Sequence, residues 1–363
     1  MNFKLLVILL VILSFRFYFF YQNQPQFAHG QELSFETTLM SQPQAIGSRQ
    51  VFTANYENQS FGKLRIITSR FPELNYGDFV RISGSLSNKN DRLLMYFPKI
   101  ETISNSSNIL QLSLKKTNTL RQKLISLFST TLPTPSSGLL MGIIFGIKEQ
   151  MPKDFADNLK TTGVFHVIAA SGMNVTLIGG FISSFLTFFL KRQIAIILSI
   201  VGIIFYAVLA GLEASIIRAS IMGIIVFSAQ IMGRQTLALN GLFLAGLVML
   251  FISPGLISDI GFQLSFAATL GILQIKPILD KNKKVKLIAQ KSVIGADVLT
   301  TIAAQLATLP ILLANFGTYS IYSILVNGLV LWTVPIIMAI GGIGSLIGLI
   351  FAPLGQLIIY FCY

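Results

Sequence analysis

The segment Thr161-Thr162-Gly163-Val164-Phe165-His166-Val167-Ile168-Ala169-Ala170-Ser171-Gly172-Met173-Asn174-Val175 places a histidine, a serine and an asparagine in an otherwise apolar run that continues to Leu190. Their side chains can hydrogen-bond phosphate or a neighbouring helix, or serve as a nucleophile and its base. In a bilayer each such group requires a partner, so an intramembrane polar cluster is a functional site by default. Gly163, Gly172, Gly179 and Gly180 loosen the same stretch, as in a helix broken where it lines a cavity. Further polar islands follow in the apolar half: Glu213 with Arg218, Asp259 with Gln263, Gln305, Asn315 and Asn327. Glu213 and Arg218 are five residues apart and are not direct helical neighbours, so pairing them requires a break in the helix. The alternative is that Arg218 snorkels to the interface. Asp259 and Gln263 are four apart, a spacing that within one helix would put them on the same face. Taken singly, each amide serves most simply as a helix-packing hydrogen bond. Together with His166 they exceed what a purely structural bundle needs.

The elements that position these groups are written in the hydropathy. Of 363 residues, 53% are hydrophobic and 11% charged. Soluble domains carry about 25% charged residues, so the chain reads as a polytopic α-helical membrane protein. Its formal charge of +13 fits cytoplasmic-loop bias, and is weak evidence for a polyanionic partner. Cys362 is the single cysteine, and His29 and His166 are the two histidines. These counts exclude a disulfide within the chain, a cysteine metal cluster and a histidine-rich hydrolase centre. No cofactor or metal is expected.

Four regions follow in order. Residues 1–29 read as a membrane anchor, retained because no small-x-small cleavage pattern follows Phe3–Tyr21. Residues 30–110 alternate apolar and polar positions in five short runs separated by turn residues, which predicts a small all-β domain, best matched by an OB-type barrel. In it, Tyr76-Gly77-Asp78-Phe79-Val80-Arg81-Ile82-Ser83-Gly84 reads as a twisted strand entered by a tight turn. Residues 111–136 set Lys115, Lys116, Arg121 and Lys123 beside a leucine stripe, the pattern of an amphipathic helix lying on a membrane surface. Residues 137–363 form a multi-helix membrane domain. Its first apolar run, Leu139–Ile147, is short against the ~20 residues a span requires, and reads as re-entrant. Spans are expected at 163–190, 194–211, 215–232, 236–252, 256–275, 292–313, 319–334 and 335–351. With a cytoplasmic N-terminus and no crossing at Leu139–Ile147, Lys191-Arg192, Arg234 and the loop with Lys281, Lys283, Lys284, Lys286 and Lys291 all fall inside, as positive-inside bias demands. The β-domain is then extracytoplasmic.

Several ordered motifs resemble those of the ComEC-type competence proteins, the family that forms the inner-membrane channel for DNA uptake in natural transformation. They are Gly138-Leu139-Leu140-Met141-Gly142, Thr162-Gly163-x-x-His166-x-x-Ala169-x-Ser171-Gly172 and Arg218-Ala219-x-x-Met222. Asp259-x-Gly261-Phe262-Gln263-Leu264-Ser265-Phe266-Ala267-x-Thr269, then Gln305-x-x-Thr308-x-Pro310, Phe316-Gly317, Ser320 and Asn327, complete the series. The resemblance covers nearly the whole chain. It implies a multi-pass protein of the cell (cytoplasmic) membrane that passes single-stranded DNA inward. The implied lining groups are His166, Ser171, Asn174, Arg218, Asp259, Gln263, Gln305 and Asn327, with Lys281, Lys283, Lys284 and Lys286 as DNA contacts. The OB-like barrel would hold the strand by stacking on Phe52, Tyr56, Phe79 or Tyr96, some of which must be core. The implied partners are single-stranded DNA, membrane lipid, separate cytoplasmic motor and nuclease proteins, and further copies of the chain. Two departures stand out. Asn174 occupies a position where many members have a second histidine, and two histidines cannot build the metallo-β-lactamase-like domain that many members carry. Two other readings compete. A small-solute or lipid transporter would be favoured by inverted repeats, and none is evident. An intramembrane serine hydrolase would use Ser171 and His166, but these lie five apart in one segment and no G-x-S-G pattern accompanies them.

Overall fold

The computed structural model of the chain describes residues 3–23, 30–39, 43–56, 63–89, 92–103, 109–147, 151–165, 172–212, 214–233, 237–281, 293–317, 320 and 322–363. They form two compact units: residues 1–122 with 247–257, and residues 123–246 with 258–363.

The first unit begins with helix α1 (Phe3–Gln22), an apolar run whose charged residues are Lys4 and Arg16. Seven strands follow: β1 (Glu32–Thr38), β2 (Gln44–Ile46), β3 (Arg49–Asn55), β4 (Lys63–Ser69), β5 (Phe79–Lys89), β6 (Arg92–Tyr96) and β7 (Lys99–Thr102). Alternation in β1 buries Leu33 and Phe35 and exposes Glu32 and Ser34, as a sheet with one face in a core requires. The strand path is β1-β5-β6-β4-β3-β2, with β7 on β5 and with β4 and β6 parallel. β1 also lies near β3, so the seven-stranded sheet curls around a single core. Leu64, Ile66, Val80, Ile82, Leu86 and Met95 fill it and are fully buried or nearly so. Gly77, at φ +86°, makes the turn before β5. A Cβ there would also press on Leu114 at 3.0 Å.

Leu114 belongs to α2 (Ile109–Thr131), the helix expected to lie on a membrane surface. Its Leu114, Thr117 and Arg121 are instead buried, with the Arg121 guanidinium 5.0 Å from the centre of the Tyr76 ring. Lys115, Lys116 and Lys123 remain exposed. The apolar stripe at this end of the helix is therefore committed to protein rather than lipid, because the barrel offers Tyr76 and Gly77 as a complementary surface.

The second unit is helical: α3 (Ser136–Phe145), α4 (Lys153–Thr161), α5 (Gly172–Leu186), α6 (Arg192–Leu209), α7 (Ala214–Ile231), α8 (Ala238–Ile252, its last turns counted with the first unit), α9 (Ile260–Asp280), α10 (Val293–Phe316), α11 (Ser323–Val330), α12 (Val334–Ile350) and α13 (Ala352–Tyr360). Among the described residues, five runs are long and apolar enough to cross a membrane: Arg192–Leu209, Ala214–Ile231, Ile260–Asp280, Asp297–Phe316 and Ser323–Ile350. The chain is thus a polytopic membrane protein with an all-β domain. α5, α6 and α7 pack mutually, α9 packs on α7 and along α10, and α11 packs on α10.

Three expected spans come out differently. The two expected at 319–334 and 335–351 are one run of 28 residues, Ser323–Ile350, bent through a 3-10 turn at Leu331–Thr333. Pro335 has no N–H for the Leu331 carbonyl, so the helix kinks there instead of stopping. The span expected over 163–190 follows Gly163 (φ +79°), the left-handed stop that ends the polar helix α4, and its described part from Gly172 ends at Leu186, short of Leu190. α3 has ten residues, about 15 Å at 1.5 Å each, half the hydrocarbon thickness.

Candidate functional site

A helix that ends in an apolar interior leaves its last carbonyls to be satisfied by something. At the C-terminus of α3, Gly146 (φ +71°) donates its N–H to the Gly142 carbonyl, and Ile147 donates to Met141. The next two carbonyls are met from other helices. Asn174 Nδ2 donates to the Ile143 oxygen at 2.8 Å, and the Tyr206 hydroxyl donates to the Ile144 oxygen at 3.2 Å. Asn174 is fully buried, and its Nδ2 also reaches the Tyr206 oxygen at 3.4 Å. Carboxamide and phenol together close the end of α3.

Two residues earlier on α5, Gly172 faces Arg218 of α7. A Cβ at Gly172 would stand 2.8 Å from Arg218 Nη2, so the glycine lets the guanidinium lie against the backbone. Arg218 is only 8% exposed. Its Nη1 donates to the Ser265 carbonyl and to Thr269 Oγ1, both on α9, and Thr269 Oγ1 also donates to that carbonyl at 2.9 Å. Arg218 Nε is buried without a hydrogen-bond partner, as is Ser220 Oγ two residues on. Arg218 therefore turns inward rather than snorkelling, and its described partners are neutral. Glu213, the acid considered for it, lies outside the described residues.

The third group lies on α10 and α11. Gln305 Nε2 donates to Ser323 Oγ at 2.6 Å, and Ser323 Oγ donates to the Ser320 carbonyl at 2.7 Å. A Cβ on Gly163 would collide with Ser323. Asn327, one turn after Ser323, is 1% exposed, and its Oδ1 has no partner; nor has the buried Ser320 Oγ. Val164 and Met173 pack with Ile143, Val326, Val334 and Met338. The polar groups of α3, α5, α7, α10 and α11 thus gather at the two ends of the segment 163–174.

Asp259 and Gln263 do not share a helix face. Asp259 is the N-cap of α9, its carboxylate accepting from the Phe262 N–H at 3.0 Å, and its carbonyl accepts from the Gln263 N–H at 3.0 Å. Lys281 is exposed just beyond the end of α9. His166, Ser171, Lys283, Lys284 and Lys286 lie outside the described residues. Of the aromatic candidates in the barrel, Phe52 is core and Tyr56 packs edge-on to Phe35, whereas Tyr96 is exposed. Sequence reasoning passed over Tyr206 and Ser323. A lone tyrosine or serine in an apolar helix carries no spacing signal; only the carbonyls they meet reveal them.

The family described as "Competence protein" matches residues 143–362, a stretch holding every polar side chain just placed in the helical unit. The chain belongs to that family. The chain is 26% identical over 213 residues to ComE operon protein 3 of Bacillus subtilis (strain 168), covering 58% of this chain and 26% of that protein. It is 31% identical over 137 residues to an uncharacterized protein of Aquifex aeolicus (strain VF5), covering 37% and 32%. The chain therefore spans a third or less of either relative. No solved structure matches it. The ComEC-type resemblance read from the ordered motifs holds at the level of the Competence family.

Proposed function

We propose that this member of the Competence family is a channel component that passes single-stranded DNA across the cell membrane into the cytoplasm during natural transformation, without itself catalysing a reaction. The observation that carries the reading is Arg218: a cation buried in the membrane unit, whose partners among the described residues are neutral and whose Nε is a spare donor. A polyanion cannot enter hydrocarbon, so a DNA path needs fixed positive charge and hydrogen-bond donors at successive points. Binding at each point must be weak, or transport stalls. Arg218 supplies charge, while Gln263, Gln305, Asn327 and the unpartnered hydroxyls supply donors and acceptors. Asn174 acts by holding α3 in place, and Asp259 by starting α9. His166 and Ser171 complete the lining in this reading. Lys281, with Lys283, Lys284 and Lys286, receives emerging phosphates on the cytoplasmic side by counterion release. Separate cytoplasmic proteins supply the motor and the nuclease.

The deciding experiment is a clean deletion scored for entry of labelled DNA into the cytoplasm, complemented with Arg218→Ala, Arg218→Lys and Ser171→Ala. The expected result is no uptake in the deletion, severe loss for Arg218→Ala, partial rescue by lysine and a modest loss for Ser171→Ala, all at equal membrane levels. Total loss for Ser171→Ala with Arg218→Ala unimpaired would replace the channel by a serine hydrolase. Normal uptake in the deletion would leave a solute or lipid transporter.

A further inference from the structure

The barrel is close to neutral over residues 30–103, with eight basic and seven acidic side chains, but the charges are segregated. Around β1, β5 and β7 the arginine and lysine are neutralised: Arg81 pairs with Glu36 at 2.6 Å and Lys99 with Glu101 at 2.8 Å. The outer face of β3, β4 and β6 is different. Its registered rows are Thr53–Arg65–Leu94 and Val51–Ile67–Tyr96. Arg49 stands at the end of β3 opposite Ser69, and Arg70 and Phe71 follow directly where β4 ends. Phe71 is 71% exposed, Phe97 55% and Tyr96 49%. A soluble surface rarely leaves three aromatic rings in one place without a use for them.

The rings are held rather than loose. Phe97 sits at φ +46°, a costly conformation for an aromatic residue, and is held there by its N–H donating to the Ile67 carbonyl at 2.7 Å. The loop bearing Phe71 is tied from below by buried Gln50, whose Nε2 donates to the Pro72 carbonyl at 2.8 Å while its Oε1 accepts from the Leu74 N–H at 3.4 Å. Arg49 lies over the Phe97 ring at 5.5 Å and Arg70 over the Phe71 ring at 5.9 Å. Glu73 lies 3.4 Å from Arg70 in an exposed pair that a phosphate can displace.

Rigid exposed rings with guanidinium groups beside them suit one class of ligand: unpaired bases that stack, joined by phosphates that need neutralising. Duplex DNA keeps its bases stacked on each other and has no use for the rings. We propose that the outer face of β3, β4 and β6 is a stacking platform for single-stranded DNA, with Phe71, Tyr96 and Phe97 taking bases and Arg49, Arg65 and Arg70 taking phosphates. The identity of the strand rests on the DNA-uptake reading; the platform itself rests on the geometry of this face.

The test is binding of a fluorescent oligothymidylate of about 12 nucleotides, a length within single-strand site sizes, to the full-length chain in nanodiscs across a salt series. Phe71→Ala and Phe97→Ala are expected to weaken binding roughly five- to hundredfold each with the salt slope unchanged. Arg49→Gln and Arg65→Gln are each expected to flatten the slope of log K against log salt by about 0.7. Phe71→Tyr should bind normally, as should Arg81→Gln on the other side of the barrel. Absence of binding, equal binding of duplex, or indifference to both phenylalanine substitutions overturns the platform. Its failure is distinguishable from that of the channel: a deletion strain that loses uptake keeps the channel when the platform falls. A chain that binds through these residues while its deletion takes up DNA normally keeps the platform when the channel falls.

Discussion

At the scale of single residues, the membrane unit uses its polar groups in two ways. Asn174 is consumed by structure: it answers a helix-end carbonyl in the buried interior. Asn174→Leu leaves the Ile143 oxygen unpaired, a cost of about 1–3 kcal/mol, and should lower the thermal midpoint of the solubilised protein. Tyr206→Phe should cost a comparable amount, and the double variant less than the sum, because the two side chains touch. Additive losses would show that the two caps act independently. Arg218 is the opposite case, buried with a donor to spare. In the barrel, burial pushes the Tyr76 phenol above its ordinary value, with the Arg121 charge opposing the rise. A tyrosine whose folded pKa is raised holds its proton after the unfolded chain has released it. Its contribution is therefore complete below about pH 10, the unfolded value, and is lost as pH rises through the folded value. Tyr76→Phe should flatten the alkaline fall in stability, measured by denaturation between neutral pH and pH values above that range. An unchanged alkaline limb in the variant would remove Tyr76 as its source.

At the scale of elements, α3 decides how the rest of the chain is threaded. A crossing there would invert every basic loop after it, and ten residues reach only halfway. Reporter tags inserted at positions 135 and 150 are expected to lie on the same side of the membrane, and tags on opposite sides would defeat the re-entrant reading. The pairing of α12 with α13 follows from small residues. Gly344, Gly348 and Gly355 bring the two backbones together so closely that a Cβ on Gly355 would collide with Gly348. The kink at Leu331–Thr333 shows the converse, a proline that bends a span where the hydropathy suggests a boundary between two.

At the scale of the whole molecule, the three basic loops set the orientation we propose: barrel outside, Lys281 inside. In a Cys362→Ala background, Ser48→Cys should react with an impermeant maleimide on intact cells and Lys281→Cys only after permeabilisation; the reverse pattern would invert the protein. Much of this was legible in the chain by itself. Composition determined a membrane protein, because too few charges remain to solvate a soluble surface. Period-two patterning with turn residues determined an all-β domain, and Tyr76-Gly77-Asp78 marked the turn into β5. Both signals are local, carried by the chemistry of neighbours in sequence. What the tertiary structure alone decided were the partners. Asn174 and Ile143 are 31 residues apart, and Arg218 and Ser265 are 47 apart. No local pattern says which carbonyl a buried amide or guanidinium will meet, because that depends on which helices pack together. The same holds for the exposed rings. Phe52, Phe71, Tyr96 and Phe97 look alike in a β-sequence, and only strand register and the curl of the barrel turn the first into the core and the others outward.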